Sequence, residues 1–106
     1  MDIDKQIGVE IMQWECVDKF HWKKDGRHVK DGLTFEPSTN IGDAWMVVER
    51  MRELGWHYGV QSDYYNQKHN CSFADYDADP VNFNESTEET APLAICLAAL
   101  KACEGE

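Results

Sequence analysis

Pro37-Ser38-Thr39-Asn40-Ile41-Gly42-Asp43-Ala44-Trp45-Met46-Val47-Val48-Glu49-Arg50-Met51-Arg52-Glu53-Leu54-Gly55-Trp56-His57-Tyr58-Gly59-Val60-Gln61 is the stretch on which the fold turns. Its first part has a helical period and its last part a period of two. Asn40 is a short polar residue suited to capping, and Asp43 follows three residues on, where a carboxylate meets the positive end of a helix dipole. Ile41, Ala44, Trp45, Val48 and Met51 predict one buried stripe, with Glu49, Arg50, Arg52 and Glu53 on the wet side. Gly55 is a natural stop. From Trp56 to Gln61 the residues alternate, which predicts a half-buried strand. A capped helix running straight into an amphipathic strand points to an α+β fold.

Working outward, Ile3, Ile7, Ile11 and Trp14 predict a first helix over 3–14, capped by Asp2. Cys16 to Trp22 reads as a strand, Lys23-Lys24-Asp25-Gly26 as a turn, and Leu33-Thr34-Phe35 as a short returning strand that Pro37 ends. Beyond Gln61, Asp63 to Lys68 is a polar loop. His69 to Tyr76 is the second strand of an antiparallel hairpin, and Asp77 to Glu89 an acidic loop. A last helix starts near Thr90 with Pro92 in its first turn, where proline is tolerated. It faces inward with Ile95, Cys96, Ala99, Leu100 and Cys103. No internal repeat or linker divides residues 1–106, so one domain is expected.

The chain has 106 residues, 42% of them apolar, and twelve are Trp, Tyr or Phe, enough for a single core. The longest mostly apolar run, Ala91 to Leu100, is about half of a bilayer span. The opening MDIDKQIGVE carries acids where a secretion signal needs an apolar run, so a cytoplasmic protein is expected. The four cysteines are then expected as reduced, mostly buried thiols. The formal charge is −10, unevenly spread. Residues 69–100 hold Asp75, Asp77, Asp79, Glu85, Glu88 and Glu89 and no Lys or Arg, whereas Lys19, Lys23, Lys24, Arg27 and Lys30 make 16–31 locally basic. The overall balance argues against direct DNA binding, which rests on neutralising phosphates.

Chemistry-bearing residues occur without the spacings that chemistry needs. His57, His69 and Cys71 fall on the predicted hairpin, and together they would be a zinc set. No Cys-x-x-Cys or His-x-x-x-His spacing backs them, and both histidines are expected on the solvent side. Asp75, Asp77 and Asp79 alternate like the opening of a calcium loop, but Pro80 and Ser86 stand where that loop needs glycine and glutamate. Nucleophile-elbow, phosphate-loop and dinucleotide motifs are absent, so no catalytic residue, metal or cofactor is expected. Two binding readings are left. Asp75, Asp77, Asp79, Glu85, Glu88 and Glu89, with Tyr64, Tyr65 and Tyr76, make a candidate protein-contact surface, since exposed aromatics beside acids mark such surfaces. Alternatively, Ser38 and Thr39 at a helix start, with Lys23, Lys24 and Arg27, would hold a phosphate, with Asp43 competing.

Three places carry a family resemblance: Trp14; Pro37-Ser38-Thr39-Asn40-Ile41 running into Ala44-Trp45 and Val47-Val48-Glu49; and Thr90-Ala91-Pro92 followed by Ala94-Ile95-Cys96 and Ala98-Ala99-Leu100. With them the chain resembles, over nearly its whole length, the phage ABA sandwich family of small bacteriophage and prophage proteins. The resemblance implies a three-layer α-β-α sandwich, a small antiparallel sheet flanked by three helices, and brings no established catalytic residue. The expected protein is a non-enzymatic phage accessory factor, an anti-defence inhibitor of the anti-CRISPR kind. Its acidic face would contact a host protein such as a nucleic-acid-binding defence factor. A sponge for a nucleotide immune signal and a virion-associated structural protein stay open, as does a homo-oligomer. All readings place the chain in the cytoplasm of the host bacterial cell, away from membranes.

Overall fold

In a computed structural model the described residues are 3–18, 21–24, 27–31, 35–63, 65–77 and 82–104, with the backbone alone for 15–31, 63 and 104. Ile3–Gln6 forms a short helix, α1, that runs on as a π-turn over Ile7–Ile11. The apolar spacing predicts an α-helix to Trp14. Instead Met12 N–H donates to Ile7 O and Trp14 N–H to Gly8 O, so the helix widens and ends, and Gln13 turns with φ 58°. Trp14 leaves the helix and packs on Phe35, with ring centroids 4.8 Å apart.

A meander follows: β1 (Glu15–Asp18), β2 (His21–Lys24) and β3 (Arg27–Asp31), antiparallel in that order. β1 and β2 take the place of the expected single strand over 16–22, while the expected returning strand over 33–35 lies mostly outside the described residues. Lys23, Lys24, Arg27 and Lys30 lie within strands, because the backbone makes the pairing and does not require apolar side chains. Phe35 is buried outside any strand, and Leu33 and Thr34 lie outside the described residues. The meander joins the body mainly through β1 against the π-turn. It stands as an arm on a molecule of 40 × 33 × 21 Å.

Helix α2 (Ile41–Glu53) starts and stops where the sequence predicts. Asp43 N–H donates to Asn40 Oδ1 at 2.9 Å, and Glu36 N–H donates to Asp43 Oδ2 at 2.8 Å. The entry is thus a closed box, and the exit turns at Gly55 with φ 97°, a conformation that favours glycine. The buried stripe differs from expectation. Ala44, Val47, Val48 and Met51 are fully buried, whereas Ile41 and Trp45 remain largely exposed. The spacing of three, one and three centres the buried face on those four residues and leaves Ile41 and Trp45 on its flank.

The central sheet is β4 (His57–Asp63), β5 (Lys68–Asp75) and β6 (Asn82–Glu88), antiparallel in sequence order. β6 replaces most of the expected acidic loop. Its inward positions Asn84, Ser86 and Glu88 are polar and its outward Phe83 apolar, so the usual alternation is inverted and hides the strand. Helix α3 (Ala91–Glu104) lies across β5 and β6, and α2 and the π-turn pack on α3. Ala94, Ala98, Ala99 and Ala102 are fully buried, which lets α3 approach its neighbours closely. The core is completed by Ile7, Ile11, Val47, Met51, Phe73 and Ile95. The chain is therefore an α+β sandwich: three helices with a three-stranded antiparallel sheet. Among the described residues no helix is long and apolar enough to cross a membrane.

Candidate functional site

The register sorts every residue of the central sheet to one of two faces, because directly opposed residues point the same way. The inner face carries Cys71, Phe73 and Ser86, all buried against the helices. The outer face carries three rows read across the strands: His57–Ala74–Phe83, Gly59–Ser72–Glu85 and Gln61–Asn70–Thr87. The first row has a ring on either side of Ala74, the second is small at two of three positions, and the third is uncharged and hydrogen-bonding. The outcome is a shallow trough with rings at one end and amides at the other.

The aromatic end is built by Tyr76, whose ring centroid lies 5.1 Å from that of His57, with Phe83 exposed beside them and Ala74 buried beneath. At the other end, Asn70 Nδ2 donates to Thr87 Oγ1 (3.0 Å) and to Glu85 Oε2 (3.4 Å). There a cleft of about 460 Å³ is lined by Gln61, Ser62, Tyr65, Lys68, Asn70 and Thr87, with Tyr65 92% exposed. Lys68 Nζ lies 3.4 Å from Glu89 Oε1, an exposed ion pair at this end of the sheet.

The expected contact residues do not form one acidic surface. Glu85 stands in the middle of the trough, and Glu89 is paired with Lys68 at the hairpin end. Glu88 points to the inner rim, where its Oε1 accepts from Ser86 Oγ at 3.3 Å. Asp75 and Asp77 sit at the opposite end of β5, where Asp77 N–H donates to Asp75 Oδ1 at 3.1 Å. That end lies about 20 Å from Glu89 at 3.3 Å per residue. Tyr65 and Tyr76 mark the two ends of the trough, while Asp79 and Tyr64 lie outside the described residues.

The alternative anion site is occupied by the protein's own carboxylates. Ser38 N–H donates to Asp4 Oδ1 at 2.8 Å, and Thr39 N–H and Oγ1 both turn to Glu36 O. With Asp43 closing the α2 entry, two negative charges stand where a phosphate would sit. Lys23, Lys24 and Arg27 flank the β2–β3 turn, and Lys23 pairs in register with Glu15, directly after Trp14.

Register also divides the zinc candidates. His57 is on the outer face, while His69 and Cys71 are on the inner one. Burial pushes the Cys71 thiol up from 9.0 to about 12. Cys96 rises likewise to about 12, through burial first and then the nearby charges of Asp4 and Cys71. Neutral, enclosed thiols are core atoms and poor nucleophiles. One pairing the sequence reading missed is Ser62 Oγ with His69 Nδ1, 2.9 Å apart across the hairpin. Only the register, which sets Ser62 opposite His69, discloses it. It is a cross-strand hydrogen bond at an exposed hairpin end. Acyl transfer would further demand an oxyanion site and an enclosed cavity.

The fold and its open outer face define a small α+β sandwich whose most developed feature is a surface. The chain belongs to the phage ABA sandwich domain family, whose model matches residues 5–100. It is similar to a crystal structure of a phage protein from Bacillus cereus, with 29% identity and a TM-score of 0.72, covering 97% of this chain and 85% of that one. Among curated proteins none matches.

Proposed function

We propose that this phage-family protein is non-enzymatic and acts by binding a host protein through the outer face of the β4–β5–β6 sheet, as an inhibitor of host defence. The observation that carries this reading is the outer face itself: exposed rings of His57, Tyr76 and Phe83 flank small residues and Glu85, on a sheet whose other face buries Cys71, Phe73 and Ser86 in the core. Aromatic anchors around a depression are what protein contacts use as energetic centres. The charge supports a basic partner. Residues 69–100 contain six acids and no Lys or Arg, and the whole chain carries −10. A groove that binds nucleic acid in a defence factor has the complementary sign, and Glu85 in the middle of the outer face would stand there in place of a phosphate. Enclosed neutral thiols and helix starts occupied by the protein's own carboxylates support binding by surface over catalysis or phosphate capture.

The test is binding of the purified chain to purified host defence nucleases, with and without their nucleic acid. Glu85→Gln combined with Phe83→Ala should weaken binding by about tenfold or more, roughly 1.4 kcal/mol. Added nucleic acid should compete. Binding that ignores both changes would overturn the reading.

A further inference from the structure

The amide end of the outer face is a cleft of about 460 Å³, inside the size range of small-molecule sites. Its lining sets it apart from most of them, which are predominantly apolar. Here the walls are the carboxamides of Gln61 and Asn70, the hydroxyls of Ser62 and Thr87 and the ammonium of Lys68, with one ring, that of Tyr65. Carboxamides and hydroxyls both donate and accept. A ligand that matches them carries donors and acceptors side by side and offers one apolar face to the ring.

The walls are held before any ligand arrives. Asn70 Nδ2 is engaged by Thr87 Oγ1 and Glu85 Oε2, which fixes the amide and leaves Oδ1 to accept. Thr87 Oγ1 accepts from Asn70, so its own proton is there to donate. Ser62 Oγ is tied to His69 Nδ1. Tyr65 stands on the turn that Gln67 closes with φ 53°, a left-handed conformation that few residues other than glycine adopt. Walls fixed in this way lose less conformational freedom on binding.

Charge narrows the class of ligand. Among the described residues that line the cleft none is acidic, so a cation meets no carboxylate inside it. An anion would have to take Lys68 from Glu89 and pass close to Glu85, on a chain that carries −10. The ligand that fits is neutral. A nucleobase has two apolar faces for one ring here, and nucleotides bring the disfavoured phosphate charge. A saccharide is neutral, each of its hydroxyls donates and accepts, and a pyranose turns one C–H face to a single aromatic ring.

We propose that this cleft is a saccharide site. A hexose unit, plain or N-acetylated, lies with its C–H face on Tyr65 and its hydroxyls on Asn70 Oδ1, Thr87 Oγ1 and the Gln61 amide. One ring and a few hydrogen bonds in an open cleft give a dissociation constant on the order of millimolar. Gln61 lies four residues along β4 from His57, roughly 13 Å, so the sugar leaves the aromatic end uncovered. The site does not rest on the host-protein reading.

Titration of the ¹⁵N-labelled full chain with glucose, galactose, mannose, N-acetylglucosamine and N-acetylgalactosamine, each to about 50 mM, tests this through the backbone amide shifts. At least one sugar should move Gln61, Asn70 and Thr87 saturably and leave Phe83 in place. Tyr65→Ala, an exposed change, should weaken that sugar at least about fivefold, and Tyr65→Phe should keep it. Methyl glycosides of the same sugar separate the sources: binding kept by a glycoside supports a glycan chain end, and binding lost supports a free sugar. Phe83→Ala should leave the sugar titration unchanged while weakening host-protein binding, so the two readings fail separately. No saturable shift with any of these sugars, equal binding by Tyr65→Ala, or tighter binding of adenosine or uridine at the same amides overturns the proposal.

Discussion

The inner and outer faces of the β4–β5–β6 sheet are made of the same three strands and carry opposite loads. Inward, Cys71, Phe73 and Ser86 are sealed under the helices; outward, Phe83, Glu85 and Thr87 meet solvent on strand β6 alone. The inner face holds Phe73, fully buried, at its centre on β5. The outer face holds its rings at the periphery and leaves its middle low. A core needs volume at its centre, whereas a contact surface needs a depression with anchors around it. One strand period of two is enough to keep the two jobs apart.

That separation can be broken from the inside with the largest effect. Phe73→Ala empties the centre of the inner face and should cost about 3–5 kcal/mol, read as a lower urea midpoint. Asp43→Ala removes the acceptor for Glu36 N–H and should cost about 1–3 kcal/mol in the same assay, since it strands a partly buried donor. Alkaline pH acts on the inner face too. The folded state holds the Cys71 and Cys96 protons more tightly than the unfolded chain does, so their contribution is whole below about pH 9 and drains as pH rises toward about 12. Urea midpoints measured between pH 8 and pH 11 should fall across that window, and a flat profile would show the thiols to be less enclosed than the structure has them. In line with this, alkylation of both thiols at pH 8 should be slow in the native protein and fast in denaturant.

The outer face gives the smallest stability effect and sharpens the contrast. Phe83→Ala should stay within about 0.5 kcal/mol of the wild type, because the ring is exposed and leaves no cavity. The same substitution should weaken host-protein binding.

Much of the fold was legible where local chemistry and packing agree. Asn40, Asp43 and Gly55 mark both ends of α2, since capping and a left-handed exit depend on residues within one turn. The β4–β5 hairpin and α3 follow from periodicity in the same way. The misses share another cause. β6 escaped because its inward residues are polar, which the sheet tolerates where Lys101 and α3 cover the strand from the side. Lys23 and Lys24 read as turn residues, yet they sit in paired strands. Of the candidate site, Glu85, Tyr65 and Tyr76 were named from composition, but His57, Phe83 and Gln61 become outer-face partners only once register is known.

The sequence by itself determined the family, the α+β class, the helix boundaries around α2 and the concentration of acids in 69–100, because these depend on residue type and short-range spacing. Only the tertiary structure decided which acids share a face and which half of the α2 stripe stays exposed. Those are properties of register and of how elements pack. A shift of one residue in a strand sends every side chain to the other face, and no local pattern records which register the helices select.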